Sequence, residues 1–403
     1  MCDLDFGGCR AINACPGAPD MCRGDVSLRC AGEATYTRFP CDGGCDATTG
    51  LCIEREQFVP SNLGADAFQP GAPDLIIPSG NYELNTDDCR VTNGSADIQT
   101  MNSGLSACVW TVGTVETSGS SYVRIFGSLP LILIASGNVS IEGTFDLRAE
   151  GNSPGAGGYF GGSRVNPNGS GDSGGLAGGQ QEPFGDGGGG GAGGLSDGGR
   201  GGAAGDGPAR GGEGGPAISS SGEPLLGGSG GGVGPGARGR EGNGGGGGGA
   251  IQISSLGTLN LQGTIRATGG GGAGGTSASN VSNWGSGGGG GAGGTILLEA
   301  PRVEMQGTLS VTGGGGGAGP TNTGNGNENG EDGPTSGTAS GGQPGTDGGD
   351  GGGSTPDDGD STSSINGNGG GGGGSAGIVI LRATDVAMEG DFNPDVMPVR
   401  RTL

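Results

Sequence analysis

Apolar and polar positions alternate in four short stretches of this chain, and the four stretches are copies of one another. They read ILIASGNVSIEGTFDL (132–147), IQISSLGTLNLQGTIRA (251–267), ILLEAPRVEMQGTLSV (296–311) and IVILRATDVAMEGDF (378–392). Each carries a glycine at the same place: Gly143, Gly263, Gly307 and Gly390. Two residues before it stand Ile141, Leu261, Met305 and Met388, and four before it Val139, Leu259, Val303 and Val386. Two residues after it come Phe145, Ile265, Leu309 and Phe392. Period-two alternation over some seven residues marks β-strands with one buried face. A copy this short offers two or three strands and cannot bury its own apolar face, so the copies must stack. The shared glycine falls at a corner, where positive φ or close backbone approach is required.

The pattern predicts an all-β chain: a parallel β-helix (solenoid) with long glycine-rich insertions forming polyglycine-II rod bundles, plus a small disulfide-rich N-terminal module. Residues 1–55 are that module and 56–130 an N-terminal β segment or cap. Residues 131–395 hold the coils (131–150, 250–269, 295–313, 378–395) and the insertions between them (151–249, 270–294, 314–377), with 396–403 as a tail. PSGNYEL at 78–84 aligns with ASGNVSI at 135–141, which predicts a fifth, degenerate copy. An atypical terminal repeat suits a cap. The second copy is read as having one extra residue near Leu256, a bulge or wider corner.

Glycine dominates the insertions and makes up 110 of the chain's 403 residues, against a usual share of about 7%. A collagen triple helix is excluded, because it needs glycine at every third position with abundant proline. Flexible linkers are the compositional default. Yet 99 structureless residues between stacked coils, as 151–249 would be, make an unusual loop. The favoured expectation is therefore ordered, extended rods of polyglycine-II type. Without side chains their backbones approach closely enough to exchange N–H···O=C bonds. Each insertion leaves after the last strand of one coil and returns before the first strand of the next.

The net charge of −23 disfavours nucleic acid and anionic membranes as partners. Histidine is absent and every basic residue is arginine. That removes His-based triads, imidazole metal sites, Schiff-base chemistry and Walker-type phosphate loops. Carboxylates on the coils (Glu142, Asp146, Glu299, Glu304, Glu389) read as scattered charges on solvated strand faces, without the paired geometry of a glycosidase. No catalytic residue and no cofactor is assigned. Calcium at the acidic tract 344–369 is weighed against simple solubilising charge at rod tips. Tyr159, Phe160 and Trp284 are candidate binding aromatics, Phe184 being a further aromatic of the rods; each either stacks on a sugar or pins two rods together. No apolar run is long enough for a transmembrane segment.

Eight cysteines (Cys2, Cys9, Cys15, Cys22, Cys30, Cys41, Cys45, Cys52) crowd the first 52 residues, and Cys89 and Cys108 follow. An even count with dense local spacing points to disulfides and an oxidising compartment, and Cys89–Cys108 is the bridge expected as an isolated pair. A zinc site lacks its paired CxxC spacing here. Pairing among the first eight stays open. No signal peptide is evident, and Met1-Cys2 suggests a trimmed start; Cys2 is either a lipidation site or one more module cysteine. Arg23-Gly24-Asp25 spells an integrin-type tripeptide that chance explains.

The phrases SLPLILIASGNVSIEGTFDLRAEGNSPGAGG and GGGGGGAIQISSLGTLNLQGTIRATGGGGAGG resemble a family of exported glycine-rich proteins of myxobacteria and related deltaproteobacteria. The ending of the cysteine module resembles segments of lipoproteins from those bacteria. The resemblance covers most of residues 20–395 and implies an extracellular or cell-surface location, without supplying an activity. The glycine rods resemble those of phage tail-tip adhesins in architecture only. The expectation is a non-enzymatic structural protein, adhesin or self-assembling fibre subunit, with itself (by end-to-end stacking) or surface glycans as partner. The alternatives are a glycan- or ice-binding module using the rod face and, third, a polysaccharide-degrading β-helix enzyme.

Overall fold

The computed structural model describes residues 58–90, 95–180, 185–205, 209–218, 221–236, 239–276, 285–320, 327–363, 367–393 and 399–401. It also describes the backbone of three antiparallel strands, Met21–Arg23, Val26–Cys30 and Tyr36–Pro40. The chain divides into two compact units, Met1–Val59 and Pro60–Leu403. The first eight cysteines lie outside the described side chains. The second unit is nearly all β; one three-residue 3-10 turn, Ala65–Ala67, is its single helical element among the described residues.

Strands from successive copies pair in parallel and in register. One ladder runs Ser106–Val112, Leu131–Ala135, Ala250–Ser255, then the first halves of Thr295–Met305 and Ile378–Met388. A second runs Leu75–Ile77, Val115–Thr117, Val139–Ile141, Thr258–Leu261, then the second halves of those two long strands. The third is a separate sheet: Gly80–Asn85, Ser121–Phe126, Thr144–Asp146, Thr264–Arg266, Thr308–Ser310 and Asp391–Asn393. Inward residues of all three ladders meet in one core that includes Leu133, Ile253 and Leu298, Val139, Leu259 and Val303, and Phe145, Ile265 and Leu309. The first ladder is buried on its outer face too. There Ile132, Ile134, Leu297 and Ile380 pack under Leu63 and Leu225, which explains why LILIA reads as an unbroken apolar run.

The register corrects two expectations. Residues 80–84 stack on the third-ladder strand, since Gly80 pairs with Ser121 and Tyr122 with Thr144; the segment matching Val139–Ile141 is Leu75–Ile77. The additional full copy is instead 106–126, in which Ser121 stands where later copies have the corner glycine. The extra residue near Leu256 is not peculiar to the second copy. Leu131–Ala135 and Val139–Ile141 match 251–255 and 259–261 one for one. The third and fourth copies are the shorter ones, and their strands run straight through that corner.

The corner glycines stack in a column. None has positive φ; close approach is their reason. A Cβ on Gly263 would lie closer than 3 Å to the carbonyl of Gly143, one on Gly307 to that of Gly263, and one on Gly390 to that of Gly307. Cys89 and Cys108 form a disulfide, with Cα atoms 5.4 Å apart. It ties the segment after Gly80–Asn85 to the first ladder.

The insertions leave after the third-ladder strands and return directly into the first ladder, at Ala250, Thr295 and Ile378. Their described parts are extended segments joined by backbone hydrogen bonds with a period of three. Segment 287–294 shows the rule. Gly287, Gly290 and Gly293 donate to Gly369, Gly372 and Ser375; Gly288, Gly291 and Gly294 donate to Ala273, Gly270 and Ala267; Gly289 and Ala292 donate to Gly232 and Ser229. Its carbonyls accept from three more segments, through Gly189 and Ala192, Gly245 and Gly248, and Gly314 and Gly317. Segments 187–194 and 369–377 are likewise bonded on all sides. Among the described residues no helix is long and apolar enough to cross a membrane.

Candidate functional site

The third ladder has a simple rule: the middle residue of each short strand points to the core and its two neighbours point out. Outward side chains therefore align in two rows. One row is Tyr122, Thr144, Thr264, Thr308 and Asp391; the other is Arg124, Asp146, Arg266, Ser310 and Asn393. The three threonines are half-buried, and a cleft of about 520 Å³ runs over them from Tyr122 to Phe392.

Its far wall is a lip at Thr335, Ser336 and Gly337. The lip is anchored by the residues before it. Asp332 accepts from the backbone N–H groups of Gly151 (3.1 Å) and Gly271 (2.7 Å). Gly333 donates to Gly269 (2.8 Å). The Pro334 carbonyl accepts from Ser310 (3.0 Å), Thr312 (2.6 Å) and Asn393 (2.9 Å). A carbonyl held by three donors from the sheet fixes the wall in place.

The cleft floor carries a charged cluster. The Asp146 side chain has no solvent exposure and accepts from Arg266 Nη2 at 2.7 Å, from the Tyr122 hydroxyl and from the Arg148 backbone N–H at 3.1 Å. Arg124 lies 3.4 Å away. Burial pushes the Asp146 carboxyl up, but the hydrogen bonds from Arg266 and Tyr122, the Arg266 charge and the Arg148 N–H outweigh it and hold it below the usual range. Burial and the Asp146 carboxylate raise the Tyr122 hydroxyl, so it stays a donor at neutral pH. Among the described residues no hydrogen-bond partner reaches the buried Arg266 Nε. The floor is thus an ionised carboxylate locked by arginine, with no proton to give and a hydroxyl poorly suited to take one.

A second buried carboxylate, Glu299, is on the outer face of the first ladder. It accepts from Gln252 (2.8 Å), Ser254 (2.7 Å), Arg382 (3.2 Å) and both the backbone and hydroxyl of Ser61. Asn62 extends the network to Gln252 (2.9 Å) and to the backbone of Gly222 and Leu225. Asp146 and Glu299 are therefore not the solvated strand-face charges expected from sequence. Alternation places them outward, but the arginine row surrounds one and the segment at 60–63 covers the other.

Of the candidate aromatics, Tyr159 is half-buried against Gly171, Phe160 is 59% exposed, and Phe184 and Trp284 lie outside the described residues. Burial, followed by the charge of Asp172, raises the Tyr159 hydroxyl. In the acidic tract Asp347 is raised by burial and by Asp360. No three acidic or thiol side chains converge as a metal cluster among the described residues. The cleft itself was missed in sequence. Its signal was a hydroxyl directly after three corner glycines, Thr144, Thr264 and Thr308, but the lip lies far away in the third insertion. Comparison with known proteins returns no matching family model, no matching characterised protein and no matching solved structure.

Proposed function

We propose that this chain is a secreted or cell-surface structural protein, an adhesin or extracellular fibre subunit, built as a parallel β-helix solenoid bearing polyglycine-II rods. The carrying observation is the period-three bonding of segments such as 287–294 to six neighbours. A threefold extended helix directs successive N–H groups about 120° apart, which is the geometry that lets one rod serve three donors' worth of neighbours. Such a bundle satisfies backbone groups without a side-chain core, its glycines buried and its exposed positions held mostly by other residues. That is a scaffold's architecture. The Cys89–Cys108 bridge supports an oxidising location, and the resemblance to exported deltaproteobacterial proteins agrees with it.

Strand edges bear on the fibre reading. The first ladder ends on antiparallel Ser95–Thr100 at one side and on Val399–Arg401 at the other. The second and third end on Leu75–Ile77 and Gly80–Asn85 at one side, and on the later half of Ile378–Met388 and Asp391–Asn393 at the other. These edges are where copies would join. Immunolabelling of intact producing cells, with electron microscopy of the purified protein over a range of concentrations, tests both branches. Surface label is expected, with regular filaments if the edges pair. Label confined to broken cells overturns the location, and monomers at every concentration overturn the fibre.

A further inference from the structure

We propose that the cleft over the third ladder binds an extended segment of a neutral polysaccharide. The site is separate from the glycine-rod surface and from Tyr159 and Phe160. The inference rests on an extracellular location only in that such polymers occur there.

Shape argues first. Parallel strands stack about 4.8 Å apart, so the row from Tyr122 through the three threonines to Asp391 extends roughly 19 Å. It presents one polar side chain per rung, with the Tyr122 ring at one end. A linear ligand with a short, regular repeat of hydroxyls suits such a row.

Chemistry argues second. Thr144, Thr264, Thr308, Thr335 and Ser336 are hydroxyls that both donate and accept. Sugar hydroxyls have the same dual character. An extended peptide would need an unpaired strand edge or pockets for its side chains. The cleft floor is a sheet face whose strands are bonded on both sides except at Asp391–Asn393, an edge strand of three residues that is too short for a peptide ladder.

Charge argues third. Arg266 is the central cation of the cleft, and Asp146 already neutralises it. Asp391 at one end is exposed. With a chain charge of −23, a polyanion would be repelled and a neutral polymer would not. The anchored lip also stands against ice as the occupant. A flat ice surface needs an unobstructed threonine face, whereas the Pro334 carbonyl, held by Ser310, Thr312 and Asn393, keeps Thr335–Gly337 over this one.

Isothermal titration of the full chain with cellohexaose, mannohexaose and laminarihexaose tests the proposal, with an oligogalacturonate as the acidic comparison. At least one neutral hexaose is expected to bind with Kd below about 1 mM. The double variant Thr264→Val, Thr308→Val keeps shape and removes two hydroxyls, and should weaken that binding about tenfold. Ser336→Trp, on the exposed lip, should abolish it by filling the cleft; this variant decides the matter should the double variant melt early. The proposal is overturned if no neutral hexaose binds, if both variants bind as the parent does, if the acidic oligomer is preferred, or if thermal hysteresis appears without sugar binding. Surface-labelled protein that ignores sugars overturns the cleft alone. Sugar binding by protein absent from the cell surface overturns the location alone.

Discussion

Glycine does two different jobs in this chain, and substitution separates them. Gly290 sits in an extended glycine segment, where a Cβ would lie closer than 3 Å to the Gly314 carbonyl, a backbone atom that cannot swing aside. Gly353 has only ordinary contacts, at 3.7 Å or more. Gly290→Ala should lower unfolding free energy by about 3 kcal/mol, and Gly353→Ala should leave it within about 0.5 kcal/mol; denaturant titration of both variants checks this. Asp146 makes a pH prediction. Its carboxyl is held low in the fold, against an ordinary value of about 3.9 in the unfolded chain. Its contribution is therefore present above about pH 4 and is lost as pH falls through the folded value. Asp146→Asn should cost about 2 kcal/mol near neutral pH, with the difference from the parent shrinking below pH 4. A difference that does not change with pH would contradict the assigned lock.

Strands of the first ladder owe their burial to a segment that sequence pattern never linked to them. Residues 60–63 lie across Ala250–Ser255, Thr295–Met305 and Ile378–Met388 through Ser61, Asn62 and Glu299. Glu299→Ala removes one carboxylate and leaves Gln252, Ser254 and partly buried Arg382 short of an acceptor. The expected loss is about 3–5 kcal/mol, read by thermal or denaturant melting, whereas loss below about 1 kcal/mol would mean water serves those donors equally well. The alternation rule located the strands themselves. It erred where register was set by corners: 80–84 was placed one ladder off, because PSG and ASG look alike although one precedes the third ladder and the other the second. The copy at 106–126 escaped because Ser121 replaces the glycine used as anchor and the corner before it is longer.

The glycine segments and the ladders form a single compact unit from Pro60 onward. Their amide hydrogens should then share its stability. Hydrogen exchange is expected to protect residues 287–294 as strongly as Ile296–Leu298 beside them. Exchange at free-peptide rates would return these insertions to the class of flexible linkers. The cleft depends on the same unity, since one wall is a ladder face and the other a lip anchored from an insertion.

Local chemistry alone carried much of this. Period-two alternation and a glycine recurring in four copies are properties of nearby residues, so strands, stacking and corner positions could be read from the chain; the isolated pair Cys89–Cys108 could be read from spacing. Glycine abundance likewise restricted the insertions to backbone-driven structure. Tertiary structure decided what depends on distant segments meeting. It set which glycine segments neighbour which, because a glycine stretch has no side-chain pattern to specify a partner. It buried Asp146 and Glu299, because exposure of an outward residue depends on what later covers it. It made the cleft, because Pro334 reaches Ser310, Thr312 and Asn393 only after the third insertion folds back onto the sheet.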